Sequence, residues 1–180
     1  MPVTDDEFIE SVVAECRRVP NAEAVNLGGS RARGDFRPDS DWDFAVYPDV
    51  HAPRELAGSQ VLWGDLPRPD YPEALRKSAP PSWLDRAKRE LDYASYWANS
   101  ANPISCAGAL ARVVLQGSHA RLAHRGIWAL NEKRMVQWAD LTNLYGRFSN
   151  LGSSRGSLHL AIQDVRASIG EIETEVLDQP

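Results

Sequence analysis

Cysteine is nearly missing from this sequence, with two in 180 residues, Cys16 and Cys106. Each sits in an apolar helical pattern, Cys16 beside Val12 and Val13 and Cys106 beside Ile104 and Ala107. No further ligands cluster with either, so both are expected to be buried free thiols in a reducing, cytoplasmic setting. The histidines, His51, His119, His124 and His159, are scattered, and no zinc-ligand spacing is present. No apolar run approaches the roughly 20 residues of a membrane span, so no membrane partner is expected. The opening residues, MPVTDDEF, are acidic, unlike a secretion signal. Basic excess is lacking too. A net charge of -5 supplies no global field for a nucleic-acid backbone, which makes nucleic acid an unexpected partner. There is no internal repeat and no low-complexity tract.

Apolar content of 43% and charged content of 25% are those of an ordinary globular chain, long enough for one domain or two small lobes. Thr4 with Glu7 makes a capping box for a first helix whose apolar face is Phe8, Ile9, Val12, Val13 and Cys16, stopped at Pro20-Asn21. EAVNL (23–27) reads as a strand running into Gly28-Gly29-Ser30. WDFAVY (42–47) reads as a second strand and VLWG (61–64) as a third. Residues 67–81 hold most of a proline-rich stretch, which reads as a linker. Ser82 with Asp85 predicts a helix to about Trp97, and Asn102-Pro103 opens another, ending near Gly126. Asn131 is expected to cap a helix holding Met135, Val136 and Trp138, and residues 156–176 supply the last. The expected architecture is α/β plus α. A small lobe over residues 1–66 leads through the 67–81 linker to a bundle of about four helices over residues 82–180.

The segment LGGSRARGDFRPDSDWDF (27–44) carries the chemistry. A Gly-Gly-Ser turn leaving a strand lets backbone approach a ligand closely, and a helix starting there turns free N–H groups outward. Ser30 adds a hydroxyl, while Arg31 and Arg33 offer charge to phosphate oxygens. Asp41 and Asp43, two apart on a strand, share one face, with Cα atoms roughly 6.5 Å apart. Two carboxylates so placed repel unless a cation or a basic partner intervenes, and magnesium, bound through one or two carboxylates plus substrate phosphates, fits. Trp42, Phe44 and Val46 then face a core. The structural alternative is that Asp39, Ser40 and Asp41 form a turn and Asp43 pairs with an arginine of the preceding loop.

Gly29-Ser30, Ala32-Arg33-Gly34 and Ser40-Asp41-Trp42-Asp43-Phe44 together resemble the signature of the DNA polymerase β-like nucleotidyltransferase superfamily. Residues 74–78 and 108–134 and the closing helices resemble the helical domain of bacterial nucleotidyltransferase-domain proteins. The resemblance implies that Gly29, Ser30 and Arg33 meet the phosphates of an NTP. It implies that Asp41 and Asp43 are catalytic and bind two Mg2+ ions, and that a nucleoside monophosphate passes to a hydroxyl of a small molecule or protein. It also implies a third carboxylate on a later strand. Asp49, Glu55 and Asp65 are the candidates, and too few residues follow Tyr47 to build the rest of such a sheet. The lobe is therefore expected to be shortened. A degenerate, non-catalytic nucleotide- or protein-binding module is the alternative, and a second copy or a protein partner is expected to cover the short sheet's edge.

Smaller candidates carry blander readings. Arg112 and His119 are spaced as in the RNase site of some helical toxins, or they form a salt bridge and a polar surface. Lys133 could serve a nucleotide, or sit in a solvated turn. Trp63, Trp83, Trp97, Trp128 and Trp138 read as packing residues, because no basic stripe accompanies them.

Overall fold

Thr4 opens the fold as a helix cap. In the computed structural model, which describes residues 4–47, 58–67, 70–129 and 131–178, it precedes α1 (Asp5–Cys16). Its hydroxyl accepts from the Glu7 N–H, and the Glu7 carboxylate accepts from the Thr4 N–H, so the capping box is complete. The Thr4 N–H and, less strongly, the Thr4 hydroxyl donate to the Glu7 carboxylate and hold its carboxyl below the ordinary pKa.

The chain continues through β1 (Ala24–Leu27), α2 (Gly29–Ala32), β2 (Phe44–Tyr47) and β3 (Gln60–Trp63). The strands form an antiparallel sheet in the order β2-β1-β3. Ala24 pairs with Tyr47 and Leu27 with Phe44 on one side, and Val25 pairs with Trp63 and Leu27 with Gln60 on the other. All four residues of β1 are buried, as a central strand demands. One face carries Val25, Leu27, Phe44 and Trp63. Phe8 of α1 packs there against Trp42 and Phe44, at ring separations of 5.2 and 6.1 Å. The other face holds a small cluster of Ala24, Tyr47 and Leu66, with Ala45 and Val61 against it.

The second expected strand is shorter than its composition suggested, starting at Phe44 rather than Trp42. Pairing nonetheless reaches one residue further, because the Gly28 N–H donates to the Asp43 carbonyl at 2.7 Å. The stretch from Pro48 to Ala57, with His51, Asp49 and Glu55, lies outside the described residues.

The chain divides into two units between Asp70 and Tyr71. The expected linker and the Ser82 cap are corrected here: α3 runs unbroken from Glu73 to Asn99, with Pro80 and Pro81 inside it. Proline removes the N–H that the carbonyl one turn back would accept from, here those of Arg76 and Lys77. Burial offsets that cost at Pro80, which is among the most completely buried side chains. Next comes α4 (Pro103–His124), where the Asn102 side chain accepts from the Ser105 N–H at 3.1 Å and Pro103 occupies the first turn. It stops at Gly126, whose φ of +69° only glycine adopts freely.

The helix expected from Asn131 shrinks to α5 (Met135–Trp138). Asn131 instead accepts from the Lys133 N–H at 2.9 Å, a local turn that competes with a cap. A 3-10 turn (Thr142–Leu144) and α6 (Tyr145–Ser149) lead to α7 (Arg155–Leu177), capped by Ser154. Leu91 of α3, Leu110 and Val113 of α4, and Leu158, Val165 and Ile172 of α7 form the core, closed by Met135 and Leu141. Trp83, Trp97 and Trp138 pack against it, as expected of packing tryptophans. Cys106 is fully buried, which pushes its thiol pKa up, and Cys16 is half-buried; both are free. Among the described residues no helix is long and apolar enough to cross a membrane.

Candidate functional site

The end of β1 positions everything that follows. Gly28 leaves the strand still bonded to Asp43, and Gly29 then turns with φ +63°, into the left-handed region that favours glycine. A Cβ at Gly29 would lie 1.9 Å from Asp43 Oδ2, so the Asp43 carboxylate is seated against the turn and a side chain there would displace it. The N–H groups of Gly29 and Ser30 open a turn that holds no carbonyl four residues back for them. Asp41 and Asp43 are exposed and Trp42 between them is half-buried, so the two-residue alternation persists ahead of β2 and puts both carboxylates on one face.

Arg31 is not available to a ligand in the way the sequence suggested. Its Nε and Nη2 donate to the Ser40 carbonyl at 3.1 and 3.0 Å. Its guanidinium lies over the Phe36 and Trp42 rings, 4.7 and 4.0 Å from their centres, and 3.6 Å from Asp5. Arg31 therefore ties the loop from Gly34 to Ser40 back onto the turn and fixes the approach to Asp41.

Charge along that loop alternates, and its pairing is selective. Arg33 lies 3.5 Å from Asp35, and Arg37 lies 3.6 Å from Asp39. Asp41 and Asp43 have no basic partner among the described residues, and neither turns to an arginine of the preceding loop. Asp6, Glu10 and Glu23 likewise lack an ion pair among the described residues, so what sets Asp41 and Asp43 apart is their place two residues apart beside the Gly-Gly-Ser turn. Arg33 has its terminal nitrogens uncommitted among the described residues and is largely buried, with 22% of its side chain exposed.

This donor set is oxygen only. Among the described residues no group of three or more histidine, cysteine or acidic side chains could hold a metal. A closed zinc site is therefore absent from them, while a pair of carboxylates is a donor set of the kind magnesium takes, which keeps waters and binds one or two carboxylates plus phosphate oxygens.

The third carboxylate is not supplied by Asp65. Gln60 pairs with Leu27 at the Gly-Gly-Ser end, whereas Gly64 lies against Glu23 and Ala24 at the other, so Asp65 follows at the far end of β1. That is roughly 13 Å away at strand rise. Asp49 and Glu55 are outside the described residues.

Asn26 went unnoticed in the sequence. It is buried in β1 on the face shared with Ala45 and Tyr47, and its Nδ2 donates to the Tyr47 hydroxyl at 3.2 Å. The one polar residue in an otherwise apolar strand was the available signal. It braces β1 against β2 two residue pairs from Asp43.

Other candidates resolve toward packing. Arg112 is 3.0 Å from Glu90, and His119 stacks on Trp83 at 4.4 Å and 13°. Lys133 lies in an exposed turn, and His159 bonds Asn99 at 3.0 Å.

A family model described as the nucleotidyltransferase domain matches residues 9–103, more than half of the chain. The chain belongs to this family. No curated protein and no solved structure matches it. Membership gives the nucleotidyltransferase domain a general role in nucleotidyl transfer. Its match begins in α1, takes in the whole sheet with the Gly-Gly-Ser turn and both aspartates, and runs through α3 to the first residue of α4. The family domain thus extends past the division at Asp70 and claims the helix that the proline pattern had concealed.

Proposed function

We propose that this nucleotidyltransferase domain moves a nucleoside monophosphate from an NTP to a hydroxyl of a small molecule or protein. The observation that carries the reading is the selective pairing of the loop: Asp35 and Asp39 have arginine partners, whereas Asp41 and Asp43, on one exposed face at the Gly-Gly-Ser turn, have none among the described residues. Uncompensated carboxylates held together disfavour the protein alone and favour it with a cation bound.

Asp41 and Asp43 would hold magnesium, with the turn at Gly29 and Ser30 and the guanidinium of Arg33 receiving the phosphates. Magnesium, when bound, would neutralise charge on the triphosphate and the leaving pyrophosphate. The acceptor oxygen forms a bond to the α-phosphorus as the bond to the β-phosphate oxygen breaks. Pyrophosphate leaves with that electron pair, and the hydroxyl proton passes to solvent. The chain's own contribution is position: Arg31 holds the loop, Asn26 braces the strands, and Gly29 leaves space for the Asp43 carboxylate.

A second reading is nucleotide binding without turnover, favoured by the lack of a third carboxylate at the site among the described residues. Titration with an NTP whose α,β-bridge resists cleavage, with and without magnesium, tests the shared part of both readings. Magnesium-dependent binding lost in Asp41→Asn/Asp43→Asn supports it, and binding indifferent to both changes rules it out. Pyrophosphate release from a cleavable NTP then separates transfer from binding alone.

A further inference from the structure

The start of α3, the end of α4 and the last turn of α7 enclose a cleft of about 500 Å³. His124, the last residue of α4, lines it although only 8% of the residue is exposed. Among the described residues neither of its ring nitrogens has a hydrogen-bond partner, and neither is fully buried, so the ring edge is open to the cleft. Arg76 donates Nε to the His124 carbonyl at 2.7 Å, which anchors the guanidinium and leaves its terminal nitrogens without an acceptor among the described residues. Lys77 stands beside it, 3.4 Å from the exposed carboxylate of Glu73. Pro81, Val176 and Leu177 supply an apolar wall.

We propose that this cleft binds the phosphoryl group of a small organic phosphate, with the organic part against the apolar wall. Two cations, Arg76 anchored through its Nε and Lys77 exposed beside it, outnumber the one carboxylate that lines the cleft. An anchored guanidinium fork, an ammonium and an imidazole together donate to more oxygens than a carboxylate offers, and a phosphoryl group offers three. The cleft is also larger than a bare phosphate needs, so a body attached to it is accommodated. This site belongs to the helical unit and is independent of the reading given to Asp41 and Asp43.

The test uses the full chain carrying Asp41→Asn/Asp43→Asn, without divalent metal, so that phosphate binding at the Gly-Gly-Ser turn does not contribute. Phenyl phosphate is titrated while the ring nitrogens of His124 are followed by NMR. Saturable movement of the His124 signals is expected, absent with phenol. Affinity should fall about tenfold in Arg76→Gln, a loss of about 1.4 kcal/mol. Lys77→Gln, on the surface, serves as the second variant should Arg76→Gln alter the thermal midpoint. Unmoved His124 signals, an equal response to phenol, benzoate binding as tightly as phenyl phosphate, or full affinity in a folded Arg76→Gln and in Lys77→Gln would each overturn the proposal.

Discussion

At the scale of single residues, the site depends on what is left out as much as on what is present. Gly29 has φ +63° and no room for a Cβ beside Asp43 Oδ2. Gly29→Ala should therefore weaken metal-dependent nucleotide binding by at least tenfold, measured by titration, while the helical unit keeps its circular dichroism. Unchanged affinity would mean that the Asp43 carboxylate does not work from its seat against the turn. Arg125 donates to Asp140 at 2.7 Å and holds the Asp140 carboxyl below its ordinary pKa. A depressed carboxyl pKa adds stability above the unfolded-state value, and that stability is lost as pH falls through the folded value. Wild type should thus exceed Asp140→Asn in thermal midpoint at neutral pH, with the gap closing in acid. A gap independent of pH would assign the effect to something other than this ion pair.

Elements were legible where one local signal acted alone. The Thr4–Glu7 box and the Asn102-Pro103 start follow from caps plus 3.6-residue periodicity, the last helix was legible without its Ser154 cap, and the sheet follows from three short apolar runs. Reading failed where tertiary burial overrode local chemistry. Five prolines between Leu66 and Ser82 spell a linker, yet α3 carries two of them inside because the core takes Pro80. Asn131 had the composition of a cap, but its side chain closed a turn on Lys133 instead. At the site, the aspartate pair and the Gly-Gly-Ser turn were visible as spacing. The diversion of Arg31 to Ser40 was not, since no sequence rule says which of two nearby arginines the loop will consume. Two tests belong here. Asn102→Ala should cost about 1 kcal/mol by chemical denaturation. Pro81→Ala, at an exposed helical position, should raise stability by about 1 kcal/mol, because it restores a donor for the Lys77 carbonyl. A loss of stability in Pro81→Ala would show that the bare carbonyl is satisfied in another way.

On the scale of the whole molecule, the two units differ in how much they bury. The helical unit has a continuous core from Leu84 to Ile172, whereas the sheet's own cluster is Ala24, Tyr47 and Leu66. Strands of four residues with two outer edges add little reserve. Hydrogen exchange should accordingly be slowest in α4, around Val113 and Val114, and faster throughout β1 to β3. Equal protection in both would contradict the view that the sheet unit is the less stable of the two. The groups at the Gly-Gly-Ser turn are held by a few specific bonds, such as those of Arg31 to Ser40, rather than by bulk packing.

Label transfer from α-phosphate-labelled NTPs, with magnesium, is the measurement that bears on the aspartate pair most directly. Wild type and Asp41→Asn/Asp43→Asn are compared, with the protein itself and a panel of hydroxyl-bearing small molecules as acceptors. Label should pass to an acceptor with the wild type and be lost in the double variant. Label transferred equally by both would contradict the account, because the two carboxylates at the Gly-Gly-Ser turn would then have no part in the reaction.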